Sequence, residues 1–422
     1  MINYEKYLDV KKSTVDLVGS AEINAKKQFE KIDEIASVNQ IKVLKAFQEN
    51  HISESHFITS SGYGYDDAGR EALDRVYADI FGAEDALVRH NIISGTHALS
   101  LCLFGVLRPG DTLVAITGKP YDTLEETIGI RGGNNGSLKD FGINYKEVPM
   151  VNDAPDKEGI KNAIDNSVKA VLIQRSKGYA FRKTLSVEEI GELAELCKSV
   201  KKDVIVIVDN CYGEFVEEKE PTEVGADLMA GSLIKNPGGS LATTGGYIAG
   251  KKELVELCAY KLNAVGIGKE CGSTLGQSKA MFQGLYLAPV VVSNAVKTAV
   301  LAACVFEKLG YRVTPGSEEK RSCIIEAIEF NDEEKAIKFI QGIQKGAAVD
   351  SFVTPEPWDM PGYENKVIMA AGAFNQGSSI ELSADAPIKE PYIAYLQGGL
   401  TYQHFKIALT ECIDRICIDN GN

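Results

Sequence analysis

The sequence is poor in the residues that build metal centres and disulfide frameworks. Its five histidines never fall in HxH or HExxH spacing, so no metal site is expected. Nine cysteines are scattered without a CxxC pair, and the nearest two, Cys412 and Cys417, have four residues between them. That fits neither zinc ligation nor a secreted disulfide framework, and reduced thiols in the cytoplasm are expected. Basic charge is also short: 45 Lys and Arg stand against 59 Asp and Glu, a net charge of −14. No basic block appears, so nucleic acid is not an expected partner. No uncharged run approaches the roughly 18 apolar residues of a membrane span, so no membrane partner is expected. Leu285 to Val296 is apolar but reads as a buried helix. The start, MINYEKYLDVKKST, lacks an apolar h-region, and no signal peptide is expected. GYGYDDAG and GIGKECG miss the GxGxxG spacing, and neither a Walker sequence nor a GxSxG elbow occurs.

What the chain does have is length and alternation. Its 422 residues, 44% hydrophobic and 25% charged, are too many for one small core. Residues 1–58 read as a polar helical arm. From there to 290, helical patterns such as EALDRVYADIFG and SVEEIGELAELCKSV alternate with the strand-like runs DTLVAIT, KAVLIQ and DVIVIVD. Near-continuous β-branched strands between helices mean an α/β fold with a mostly parallel sheet covered on both faces. Residues 291–422, with CIIEAIEF, DEEKAIKFIQGIQK, VIMAAGAF, SIELSA and TYQHFKIALTECIDRI, read as a smaller α+β domain. A ligand is expected at the carboxyl ends of the parallel strands.

Four features carry chemistry. DVIVIVD ends in Asp209, a carboxylate at the end of a buried strand. Lys235 follows 26 residues later in SLIKNPGGSLATTGG, between an apolar pair and a glycine-rich turn. Alone, the first is equally a loop aspartate and the second a solvated lysine. Together they supply an amine that forms a Schiff base and an acid that keeps a pyridine nitrogen protonated. SGTHALS, from Ser94, Gly95 and Thr96, is a small turn opening a helix; it reads as a phosphate cradle or as a plain N-cap. Tyr121, in GKPYDTLEE, stands where a strand hands over to a helix and either stacks on a flat cofactor or packs.

In this order the features resemble fold type I pyridoxal 5'-phosphate (PLP) enzymes, and within them the Cys/Met-metabolism branch. DNCYGEF, SLIKNPGG, PEPWDMPGY and LQGGLTY resemble the bacterial methionine γ-lyase-like, aluminium-resistance family over nearly the whole chain. The resemblance implies that Lys235 is the Schiff-base lysine and that Ser232, Gly95 and Thr96, with Ser94 at the same turn, hold the cofactor phosphate. It implies that Asp209 pairs with the pyridinium nitrogen and that Tyr121 stacks on the ring and protonates departing sulfur. GKECGSTLG resembles a loop that lines the site. GYGYDD resembles the segment from which a neighbouring subunit lends a tyrosine, here Tyr63 or Tyr65, so a dimer or tetramer with shared sites is implied. One departure stands out: the branch places a carboxylate-binding arginine before its C-terminal SVGLE-like phrase, and Tyr395 occupies that place here. Arg175 and Arg131 are the candidate replacements. The expected activity is a PLP-dependent carbon–sulfur lyase acting on a small amino acid. The rivals are another PLP reaction on the same fold, such as transamination or aldol cleavage, and a silent PLP-binding relative.

Overall fold

The β-branched runs form the strands they predict. In the computed structural model, which describes residues 6–360 and 363–418, the strands of the first sheet are β1 (Asp85–Arg89), β2 (Thr112–Ala115), β3 (Asn144–Glu147), β6 (Val168–Gln174), β7 (Ile205–Asp209), β8 (Leu228–Ser232) and β9 (Gly246–Gly250). A two-stranded ribbon, β4 (Met150–Val151) and β5 (Ala154–Pro155), stands apart. The order across the main sheet is β1-β9-β8-β7-β6-β2-β3. The five strands from β8 to β3 pair in parallel, while β9 runs antiparallel to both of its neighbours. Register brings Gln174, Asp209 and Ala230 level at the carboxyl edge of β6, β7 and β8. The helices are α1 (Lys12–Glu49), α2 (Ala68–Ile80), α3 (Gly95–Val106), α4 (Asp122–Ile128), α5 (Lys157–Ala163), α6 (Val187–Val200), α7 (Lys252–Leu262), α8 (Ser278–Lys308), α9 (Glu333–Lys345) and α10 (Tyr402–Ile418).

The chain divides into two compact units. One holds Asn39–Gly178 and Thr184–Tyr286, and with them the main sheet. Its core sets Leu103 and Val106 of α3 and Val255 and Cys258 of α7 against Leu113, Leu172, Ile207 and Ile248 of the sheet. Each such leucine, isoleucine or valine contributes roughly 1.5–3 kcal/mol by leaving water. The other unit holds the described residues up to Val38, Tyr179–Lys183 and the described residues from Leu287 on. It contains an antiparallel sheet of β10 (Arg312–Thr314), β11 (Glu326–Glu329), β14 (Ile393–Gln397), β13 (Ser383–Pro387) and β12 (Val367–Ala370), in that order. Phe306, Phe330 and Phe339 meet ring to ring in its interior. Residues 6–38 thus group with the C-terminal unit, and the boundary near residue 290 falls inside α8, just before Pro289.

One expectation needs correction: α8 is long and apolar enough, by length and composition alone, to cross a membrane. The apolar run from Leu285 to Val296 continues in the helix through Ala299–Phe306 with a single intervening charge, Lys297. Of its most apolar 18-residue window, 83% is buried within the structure. Pro361 and Gly362 of PEPWDMPGY lie outside the described residues.

The glycine-rich turn after Lys235 owes its composition to close backbone approach. A methyl group on Gly238 would sit 1.6 Å from the Leu233 carbonyl oxygen, and one on Gly284 of α8 would sit 2.1 Å from the Gly238 carbonyl oxygen. Gly284→Ala is therefore expected to cost about 1–3 kcal/mol, seen as a lower melting temperature. Gly64→Ala, where a methyl group meets nothing within 4 Å, is expected to stay within about 0.5 kcal/mol of wild type. Equal melting temperatures for the two variants would contradict the close-approach account.

Candidate active site

A cavity of about 140 Å³ opens at the carboxyl edge of the sheet, lined by Ser94, Gly95, Thr96, Tyr121, Asp209, Ser232 and Lys235. Local structure delivers each of them. Ser94 caps α3, its hydroxyl accepting the His97 amide at 3.0 Å and its carbonyl accepting that of Ala98. The amides of Gly95 and Thr96 in the first turn of α3 have no partner within the helix and stay available to an anion. Gly95 must be small, since a methyl group there would sit 2.8 Å from Cys211 Sγ. Thr96 is steadied by a 2.6 Å contact between its hydroxyl and that of Thr123. Tyr121 precedes the first residue of α4. Ser232 ends β8, and its buried hydroxyl oxygen has no hydrogen-bond partner among the described residues.

Asp209 ends β7 and is buried, its carboxylate accepting the Cys211 amide at 3.1 Å. Burial pushes its carboxyl above the usual range, while the positive charge of Lys235 pulls the other way. Lys235 is half-buried, with Nζ 3.9 Å from the centroid of the Tyr212 ring. Burial works against its ammonium, but the acidic surroundings it faces, Asp209 among them, outweigh that and hold its pKa above the usual lysine range.

These residues fit PLP on three counts. Ser232 Oγ is a buried donor lacking an acceptor among the described residues, beside the available amides of α3. Asp209 is a buried carboxylate, which a protonated ring nitrogen would compensate. Lys235 shares the cavity with both.

Other expected site residues lie elsewhere. Arg175 is fully buried and spent on its own unit: Nη1 donates to Asn210 Oδ1 at 2.7 Å, and Nη2 pairs with Glu217 Oε1 at 3.0 Å. Glu220 stands 3.7 Å from Nη1. Arg175 therefore does not bind a substrate carboxylate; its guanidinium packs under the turn at Gly213, where a methyl group would come within 2.4 Å of Nη1. Arg131 does not line the cavity and sits with Glu125 and Glu126, 4.0 and 3.7 Å away. Tyr63 and Tyr65 are exposed and also lie outside this cavity. Tyr63 borders a second one of about 360 Å³, with Arg89, Lys269 and Cys271. The phrases GYGYDD and GKECGSTLG do meet there: the Gly272 amide donates to the Gly62 carbonyl, and Arg70 donates to the carbonyls of Gly62, Glu270 and Gly272. Tyr395, in the other unit, is buried and donates to the Tyr179 carbonyl at 2.5 Å. Cys211, Tyr212 and Ser176 line the cavity although the sequence reading assigned them no role. The first two stand inside DNCYGEF, so adjacency to Asp209 was the available signal.

Comparison with known proteins agrees with this geometry. The chain is 54% identical over 387 residues to the uncharacterised protein YnbB of Bacillus subtilis, covering 91% of this chain and 92% of that one. It is 52% identical to a carbon-sulfur lyase involved in aluminum resistance from Clostridium novyi NT, with a TM-score of 0.94 over 99% of this chain and 100% of that one. The fold extends to the pyridoxal-5'-phosphate dependent protein YhfS of Escherichia coli, at 15% identity and a TM-score of 0.62, over 92% of this chain and 97% of that one. The methionine gamma-lyase family model matches residues 14–417. With a sheet of this order and a lysine and an aspartate at its carboxyl edge, the chain belongs to the methionine gamma-lyase family of fold type I proteins.

Proposed function

We propose that the protein is a PLP-dependent carbon–sulfur lyase that eliminates a thiol from a small sulfur amino acid. One observation carries this reading: Lys235 and Asp209 face a single cavity that the N-terminus of α3 also lines. Bound there, PLP supplies an electron sink that acidifies the substrate Cα–H. Ser232, Gly95 and Thr96 would hold its phosphate, Asp209 its ring nitrogen, and Tyr121 its ring face. Lys235 Nζ would take the Cα proton as general base. The C–S bond then breaks with its electron pair on sulfur, and the Tyr121 hydroxyl would return a proton to the leaving thiolate.

Charge beneath the cavity favours this division of labour. Glu214 is fully buried, its Oε1 accepting the Tyr247 hydroxyl at 2.8 Å and its Oε2 lacking a partner among the described residues. Burial pushes its carboxyl from the ordinary 4.5 up to about 8, against hydrogen bonds from its own amide and Tyr247. Glu214 thus holds its proton to higher pH than an ordinary glutamate, and Asp209 would be the anion facing Lys235.

Two outcomes test this reading. Purified protein loaded with PLP should absorb in the visible, and borohydride should fix the label on Lys235. Cystathionine, methionine or cysteine should then yield thiol, ammonia and oxo acid in equal amounts, and Lys235→Ala should lower turnover roughly 10²–10⁴-fold. A protein that stays colourless with added PLP would sink the proposal, and oxo acid formed without thiol would assign it to transamination. The second outcome concerns pH. A carboxyl raised by folding contributes stability that is full below its ordinary value and is lost as pH rises toward its folded value. The melting temperature should therefore fall between about pH 4.5 and pH 8, and Glu214→Gln should flatten that slope. Parallel slopes in wild type and variant would show that Glu214 is ionised in the fold.

A further inference from the structure

Tyr212 has no part in the chemistry above, yet its backbone is held in a conformation that bulky side chains avoid. Its φ is +73°, a left-handed value usual for Gly, Asn or Asp. Such a residue persists only where its surroundings over-determine it. Here they do: Gly213 rests on the buried Arg175 guanidinium, itself held by Asn210 and Glu217. Since a tyrosine stands where glycine would suit the turn better, the ring is what the turn delivers. It lines the cavity, and the 3.9 Å from Lys235 Nζ to its centroid is well inside cation–π range.

We propose that Tyr212 is a positioning residue whose ring face receives the Lys235 ammonium after this amine has taken a proton, and keeps Nζ aimed at the cavity. This rests on the reading of Lys235 as the base. The titratable groups around Nζ are Asp209, Cys211, Glu214 and Tyr212 itself. Burial favours the protonated forms of the Cys211 thiol and the Glu214 carboxyl, so Asp209 supplies the charge and the Tyr212 ring supplies the contact. The ring face favours the ammonium over the neutral amine. Removing it should therefore free the amine and, in turnover, weaken the proton-bearing state.

The test compares Tyr212→Leu, which loses the face, with Tyr212→Phe, which keeps it. Growth of visible absorbance on adding PLP to apoprotein at pH 8 reads the neutral amine. It is expected to be about threefold faster in the Leu variant, while kcat falls about three- to tenfold with KM nearly unchanged. Tyr212→Phe should match wild type in both measurements. A Leu variant that slows both steps together would reduce Tyr212 to a packing residue, and a Phe variant that behaves like Leu would move the effect to the hydroxyl; either overturns the proposal. If the Leu variant does not fold, Tyr212→Asn, which suits positive φ, takes its place. A wild-type protein that develops no absorbance contradicts the base assignment itself, a failure distinct from identical rates in wild type and variant.

Discussion

A carboxylate buried at the end of a parallel strand is the constraint around which this site is built. Asp209 has one backbone donor, from Cys211, and an uncompensated charge in such a place costs several kcal/mol. The chain answers by bringing Lys235 to the same cavity after the next strand. That placement explains the composition of SLIKNPGG. Of the apolar pair, Leu233 is buried and Ile234 lines the cavity, and Gly238 turns where its backbone meets Leu233 and α8.

The platform behind Asp209 is polar as well. Arg175, Asn210, Glu214, Glu217, Glu220 and Tyr247 form a connected buried cluster. Burial works against charge on the carboxyls of this group, and Arg175 pairs directly with Glu217 and Glu220. Glu214, which has no basic partner in direct contact among the described residues, holds its proton to higher pH than an ordinary glutamate. The cluster fixes the turn from Asn210 to Glu217, and through that turn it sets where Tyr212 meets the lysine. Arg175 thus serves the site through its support of this turn rather than through the substrate.

Much of this was legible in the sequence because it rests on local pattern. β-Branched runs gave the parallel strands, Ser94 announced the start of α3, and the DNCYGEF and SLIKNPGG phrases pointed to the lysine and aspartate. What was hidden depends on distant partners or on backbone angles. Arg175 follows a strand, as a substrate-binding arginine would, and only the arrival of Glu217 and Glu220 from another loop makes it structural. The positive φ of Tyr212 has no residue signature, because the usual glycine follows it instead of occupying its place. The apolar length of α8 was underestimated because its run is interrupted by Lys297, which pairs with Asp33.

Asp209→Asn tests the central claim most directly, because it keeps the shape of the side chain and removes its charge. If Asp209 holds a ring nitrogen protonated, the variant should retain PLP with affinity weakened by only roughly 1.5–3 kcal/mol. Turnover should fall about 10³-fold or more, a barrier increase of about 4 kcal/mol. Wild-type turnover in a variant that still binds PLP would contradict the account and return Asp209 to the status of an ordinary strand-end carboxylate.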